Sequence, residues 1–152
     1  MGVSRNITLE IYTKIETSYT LIRELLIGLW FENDEFIVRT FYKDTSDHDD
    51  PSDFMKFSEI ENIFNDRDFL RKRNEITVNV NKLNEGLIIK SRLLKNEFND
   101  DNKFELYFSP GGGHKLEQFE RNTDFSYYLN IILPKLDKMG CQTTQITCLD
   151  FG

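Results

Sequence analysis

The amino-acid sequence predicts an α+β domain, with one mostly antiparallel sheet of about six strands and about three helices covering mainly one of its faces. Three observations carry this prediction. Apolar and polar residues alternate from Ile7 to Glu16, and apolar residues recur at helical spacing in Tyr19 to Trp30 and again after Asp124. Three β-rich runs between Glu75 and Ser109 then follow one another through short, turn-forming connections. No repeat, linker or low-complexity tract divides the chain, so residues 1–152 are read as a single globular domain.

From Ile7 to Glu16, Ile7, Leu9, Ile11 and Ile15 alternate with Thr8, Glu10, Lys14 and Glu16, the pattern of a strand with one buried face. Thr17 or Ser18 supplies a helix cap, and Leu21, Ile22, Leu25, Leu26 and Leu29 form the apolar stripe of a helix from about Tyr19 to Trp30 that ends at Asn33-Asp34. Phe36 to Lys43 is a strand rich in aromatic and β-branched residues. Asp44 to Asp53, with five carboxylates, Pro51 and two serines, reads as an exposed acidic loop. Ser58 followed by Glu61 has the form of a capping box, so a helix is expected from Glu59 to about Leu70 with Ile60, Ile63 and Phe64 inward. Arg71-Lys72-Arg73 complements the negative end of its dipole, and Phe69 is assigned to core packing.

Strands at Glu75–Asn81, Leu87–Leu94 and Lys103–Ser109 form a meander through Asn84-Glu85-Gly86 and Asn99-Asp100-Asp101-Asn102. Pro110 to Asn122, containing Gly111-Gly112-Gly113, reads as a loop. Asp124 caps a helix to Met139 with Phe125, Tyr128, Leu129, Ile132, Leu133 and Leu136 on its apolar face; Pro134 is expected to kink it and Gly140 to stop it. Gln142 to Phe151, rich in Thr and Ile, is the last strand. A ferredoxin-like core with added hairpin strands satisfies this order of elements.

Folding at 152 residues buries roughly 68–70% of the unfolded chain's surface, enough that neither metal nor disulfide is required. The 13 phenylalanines argue for a packed core over disorder. With 26 acidic against 19 basic residues the net charge is −7, which repels phosphate backbones, and no long basic run offsets it. Nucleic acid is therefore not an expected partner. The chain has no alanine while Asn, Ile, Lys and Phe are frequent, the look of AT-rich coding. Cys141 and Cys148 stand seven positions apart in a predicted strand, roughly 23 Å at strand rise, so two free thiols of a reducing compartment are expected. Met1 to Glu10 holds no apolar run of signal-peptide length, and no stretch reaches 18 consecutive apolar residues. A cytoplasmic protein without a membrane segment is the expectation.

Motifs for chemistry are few. His48 and His114 would serve as an acid–base pair only if both reached one phosphate, and Asp47, Asp49 and Asp50 around His48 repel such a substrate. Asp47-His48-Asp49-Asp50 offers metal-type ligands, but adjacent residues rarely converge on one ion and the EF-hand glycine and glutamate are absent. Gly111-Gly112-Gly113-His114-Lys115 puts a lysine after glycines, yet Leu116 stands where a phosphate loop needs Ser or Thr. No catalytic residue, metal or cofactor is expected, and the chain is read as not an enzyme. Two alternatives stay open: a small hydrolase using His114 and Lys115 with a carboxylate, and a small-ligand-binding or regulatory α+β domain.

The acid that the fold does not account for lies in two loops, as Asp44, Asp47, Asp49, Asp50 and Asp53 in one and Glu97, Asp100 and Asp101 in the other. Brought to one edge by strand register, they form a negative face that attracts a basic protein, speeds encounter and adds specificity. Tyr42 and Phe98 are the aromatic candidates to anchor that contact. In its whole profile (small, acidic, single-domain, α+β, free of catalytic motifs, of AT-rich coding) the chain resembles bacterial immunity proteins of contact-dependent growth inhibition and polymorphic toxin systems. The resemblance covers all 152 residues and rests on no motif, so it transfers no functional residue. It implies a protein that binds a cognate, basic toxin, such as a nuclease, and blocks its active site or a nearby surface.

Overall fold

The computed structural model describes residues 5–40, 53–94, 100–111, 114–117 and 119–150, with the backbone alone at 53 and 119–121. In chain order the elements are β1 (Arg5–Thr13), α1 (Ser18–Leu26), β2 (Ile37–Thr40), β3 (Asp53–Lys56), α2 (Glu61–Phe69), β4 (Asn74–Val80) and β5 (Glu85–Leu94), followed by β6 (Asn102–Pro110), β7 (Lys115–Leu116), β8 (Phe119–Thr123), α3 (Phe125–Lys138) and β9 (Gln142–Asp150). Seven strands make one sheet in the order β3-β2-β4-β5-β6-β1-β9, with every neighbouring pair antiparallel. β7 and β8 form a separate two-stranded ribbon. The fold is α+β, as the periodicities predict.

Alternation along the strands sorts the two sheet faces. Ile7, Leu9 and Ile11 of β1, Ile76, Val78 and Val80 of β4, Leu87 and Ile89 of β5, and Phe104, Leu106 and Phe108 of β6 are buried. They meet Leu21, Ile22, Leu25 and Leu26 of α1, Phe64 of α2, and Tyr128, Ile132 and Leu136 of α3 in one core. The intervening residues line a solvated face of paired charges, among them Glu10 with Lys103 at 3.5 Å and Glu75 with Lys90 at 3.3 Å.

Several expectations are corrected. α1 stops at Leu26 rather than Trp30, because Ile27 is already extended and Gly28 takes φ +85°. Thr17 caps its start, accepting from the Thr20 amide at 3.1 Å. Ser58 makes no capping box: Phe57–Glu59 is a single 3₁₀ turn, and α2 begins at Glu61 without a side-chain cap. Asp53, read as the end of the acidic loop, instead opens the edge strand β3. The stretch read as a loop before α3 contains the β7–β8 ribbon. α3 contains Pro134 and ends at Lys138, with Met139 as its C-cap. The strand order departs from the ferredoxin-like core: α1 links β1 to β2 across β6, β5 and β4, where a split βαβ unit encloses a single strand. Both cysteines are free, as expected from their spacing.

The joint between helices and sheet is polar. Asp68, in the last turn of α2, is 5% exposed. Its carboxylate accepts from the Ser18 amide at 2.7 Å, the Ser18 hydroxyl at 2.6 Å and the Asn74 side-chain amide at 3.0 Å. The Ser91 hydroxyl donates in turn to Ser18 Oγ at 3.1 Å. One of the unpaired amides in the first turn of α1 is thus met by a carboxylate 50 positions away in the chain. Burial pushes the Asp68 carboxyl above its ordinary 3.8, opposed by the bonds from Ser18, the charge of Arg71 and the bond from Asn74.

Replacing Asp68 by Ala leaves the Ser18 and Asn74 donors unpaired in the interior, and is expected to lower the unfolding free energy by about 3 kcal/mol in urea titrations. A folded-state pKa above the unfolded one means that this titration favours the fold most below pH 3.8 and that the benefit is lost as pH rises through the elevated value. The stability of the wild type relative to Asp68→Asn should therefore fall with rising pH and then level off, followed by urea melts from about pH 3 to about pH 7.

Candidate protein-binding surface

Strand direction places the two acidic connections. β2 and β5 are each antiparallel to β4 between them, so they run the same way and the chain leaves the sheet at one end after Thr40 and after Leu94. It returns at that end through Asp53, paired with Thr40, and Asn102, paired with Thr13. In the order β3-β2-β4-β5-β6 the connections are centred three strand spacings apart, about 14 Å.

Of the contact residues predicted from sequence, Tyr42, Asp44, Asp47, Asp49 and Asp50 in the first connection and Glu97 and Phe98 in the second lie outside the described residues. Asp53 is placed by its backbone in β3. Asp100 is exposed, whereas Asp101 is half-buried and pairs with Lys14 Nζ at 2.5 Å. The Asp101 carboxylate raises the Lys14 pKa by hydrogen bond and by charge, so part of the acid expected at this end is neutralised within the chain.

The same end carries a feature that the sequence reading missed. Asn74 opens β4 opposite Ser91, so the α2–β4 turn stands beside the two connections. Phe69 is 84% and Leu70 59% exposed there. Arginines hold the turn that presents them. Arg71 takes φ +56° and its guanidinium donates to the Asp68 carbonyl at 3.2 Å. Arg67 donates to the Arg73 carbonyl at 3.0 and 2.6 Å, and Arg92 to the Arg71 carbonyl at 3.1 Å. Of Arg71-Lys72-Arg73, Arg71 is the residue whose guanidinium lies on a carbonyl of the last helical turn, the electrostatic complement expected at a helix C-terminus, while Arg73 faces Glu105 at 3.7 Å.

The assignment of Phe69 to the core is overturned. Helical phase is the signal that would have found it: Asp68 is the inward residue of the last turn, and the next residue stands about 100° further round the axis.

At the opposite end of β5 a second cluster forms. The Tyr128 hydroxyl accepts from the His114 amide at 2.6 Å and donates to the Glu85 carboxylate, 3.0 Å from either oxygen. The His114 ring stacks on Tyr127 with centroids 4.0 Å apart. Asp124 accepts from the Ser126 hydroxyl at 2.6 Å and the Tyr127 amide at 3.4 Å, and these bonds hold its carboxyl below the usual range. Burial pushes the Tyr128 phenol up. With its hydroxyl engaged on both sides and its ring buried, Tyr128 fastens the glycine-rich segment to α3 and β5. A cavity of ≈ 260 Å³ beside Glu85 is lined by Asn79, Asn81 and Asn84.

Among the described residues no three His, Cys, Asp or Glu side chains converge as metal ligands, and no helix is long and apolar enough to cross a membrane. No protein-family model, curated protein or solved structure matches this chain.

Exposure separates the residues of α2 by their cost on substitution. Phe69→Ser and Leu70→Ser should each change stability by less than about 0.5 kcal/mol, whereas Phe64→Ala should cost about 3–5 kcal/mol, compared by urea unfolding.

Proposed function

We propose that this chain is a binding inhibitor, an immunity protein of the contact-dependent growth inhibition or polymorphic toxin type, that neutralises a basic toxin through the sheet end bearing its two acidic connections. The observation that carries this reading is the common end of the β2–β3 and β5–β6 connections. Asp44, Asp47, Asp49 and Asp50 belong to the first by sequence and Glu97 and Asp100 to the second, within a chain of net charge −7. Such a grouping draws a basic partner and orients it on approach. A nuclease toxin fits because its phosphate-binding cleft is cationic.

Phe69 and Leu70 support the same reading from a different side. An aromatic and a leucine held in solvent on a braced turn lose little freedom on binding, which is the character of an interface anchor. The hydrolase alternative is less favoured, because Tyr128 is buried, its hydroxyl is doubly engaged, and the His114 ring lies flat on Tyr127. A toxin that acts on cytoplasmic substrates places its inhibitor in the cytoplasm.

The test is co-purification with the product of the adjacent gene, followed by association kinetics over a salt series. Asp47→Asn/Asp49→Asn/Asp50→Asn is expected to slow association by about tenfold at low salt and to flatten its salt dependence. No complex at low or moderate salt, or a complex whose rate and affinity ignore the triple substitution, would sink the proposal.

A further inference from the structure

The charge about the Phe69 turn runs against the charge of the chain. In a protein of net charge −7, Arg71, Lys72, Arg73 and Arg92 stand exposed around the exposed Phe69 and Leu70. Acid lies on both sides of them. The turn enters β4, which lies midway between the two acidic connections, about 7 Å across the sheet from the centre of each. From outside inwards the surface therefore reads acidic, cationic and apolar. We infer that this turn enters the active-site cleft of a metal-dependent nuclease, with Arg71 and Arg92 lying on the carboxylates that hold its divalent ion. The inference rests on the proposed function and narrows its partner to one class of enzyme.

The class follows from complementarity. A partner that fits this surface is cationic at its margins, acidic further in and apolar where Phe69 lands. Cationic margins are common to nucleases, because they neutralise the phosphate backbone of the substrate. The floor of the cleft separates one kind from another. Nucleases that work through divalent ions hold them on carboxylates, whereas a floor built on lysine and protonated histidine repels the cations of this turn. An anionic membrane also attracts cations set around an apolar tip, but the carboxylates on both flanks of this tip oppose it.

The guanidinium groups are placed for this contact. Arg71 commits its Nη1 to the Asp68 carbonyl at 3.2 Å, and Arg92 its Nε to the Arg71 carbonyl at 3.1 Å. The remaining N–H groups of each form the planar fork that matches a carboxylate. Because the backbone bonds fix both groups before the partner arrives, little side-chain freedom is lost on contact. Phe69, two positions before Arg71, has its ring in solvent. Its entry into the cleft excludes water from the ion pairs and so strengthens them. Inhibition then takes a specific form: the cations stand where the metal would, the ring blocks the path of the substrate, and bound inhibitor and bound metal exclude each other.

Competition between inhibitor and ion tests this on the product of the adjacent gene. Its cleavage of DNA or RNA should stop in a chelator. In binding measurements at constant ionic strength, exchanging NaCl for MgCl2 or MnCl2, whichever restores cleavage, should raise the apparent Kd in proportion to the ion added once the toxin's metal site fills. Arg71→Gln/Arg92→Gln should weaken the complex and flatten this metal dependence. Phe69→Ser should speed dissociation by about tenfold or more with little change in association. A toxin that cleaves fully in the chelator overturns the inference, as does a complex that responds to the divalent ion no more than to sodium. Either result leaves the proposed function standing where the triple substitution at Asp47, Asp49 and Asp50 still slows association, whereas no complex at all removes both. Binding of the chain to phosphatidylglycerol vesicles that is lost in Phe69→Ser assigns the turn to a lipid surface and overturns the inference too.

Discussion

Four elements distant in sequence meet at the carboxylate of Asp68: the first turn of α1, the last turn of α2, the first residue of β4 and, through Ser91, the middle of the sheet. Taking a carboxylate out of water costs several kcal/mol, and only an adequate set of donors offsets it. Three donors at 2.6 to 3.0 Å offset part of that here, with burial still the larger effect on the carboxyl, and they tie the positions of Ser18, Asp68 and Asn74 to one another. α1 and α2 are thereby fixed end to end above the sheet. The exposed surface follows from the same contact: with Asp68 turned inward, the helical repeat turns Phe69 outward, and the turn that carries it is locked by arginines on its carbonyls.

A sheet whose neighbours are all antiparallel sends alternate connections to opposite ends. The β2–β3 and β5–β6 connections, together with the α2–β4 turn, fall at one end; the β4–β5 turn and the segment fastened by Tyr128 fall at the other. The helices cover one sheet face and the charge ladder solvates the other.

Local periodicity made β1, the β4–β6 meander and α3 legible, because each is long enough for its buried face to repeat. Short elements were not: β3 and the β7–β8 ribbon contain too few residues for a period, and their assignment depends on partners elsewhere in the chain. The end of α1 is marked in the sequence by Gly28, while the helical spacing of apolar residues continues to Leu29; Leu29 and Trp30 pack in a turn after the helix rather than inside it. Strand order lay beyond local pattern altogether, which is why the ferredoxin-like arrangement fitted the element sequence and not the sheet. The acid of the two loops was legible as composition, whereas their common end depends on the direction of three strands. Asp68 was the least legible residue of all. In a segment as polar as Asn65 to Asp68 nothing distinguishes the buried carboxylate from its solvated neighbours until the donors of α1 and β4 are in place.

Charge at the candidate surface is mixed. Arg67, Arg71, Lys72, Arg73 and Arg92 cluster about the Phe69 turn, while the flanking connections carry carboxylates. For a uniformly basic partner these cations would be a cost, lowered only where their guanidinium groups are already engaged with backbone carbonyls or, as for Arg73 and Glu105 at 3.7 Å, with a carboxylate of the same chain. An alternating surface of this kind gains less from net attraction than a purely acidic one. It discriminates more, because a partner must match cationic ground at the two connections and tolerate or pair positive charge around the apolar turn between them. Under the proposed function, this mixed pattern is what would select one cognate protein from several basic ones, with the net charge setting the speed of encounter and the braced turn the fit.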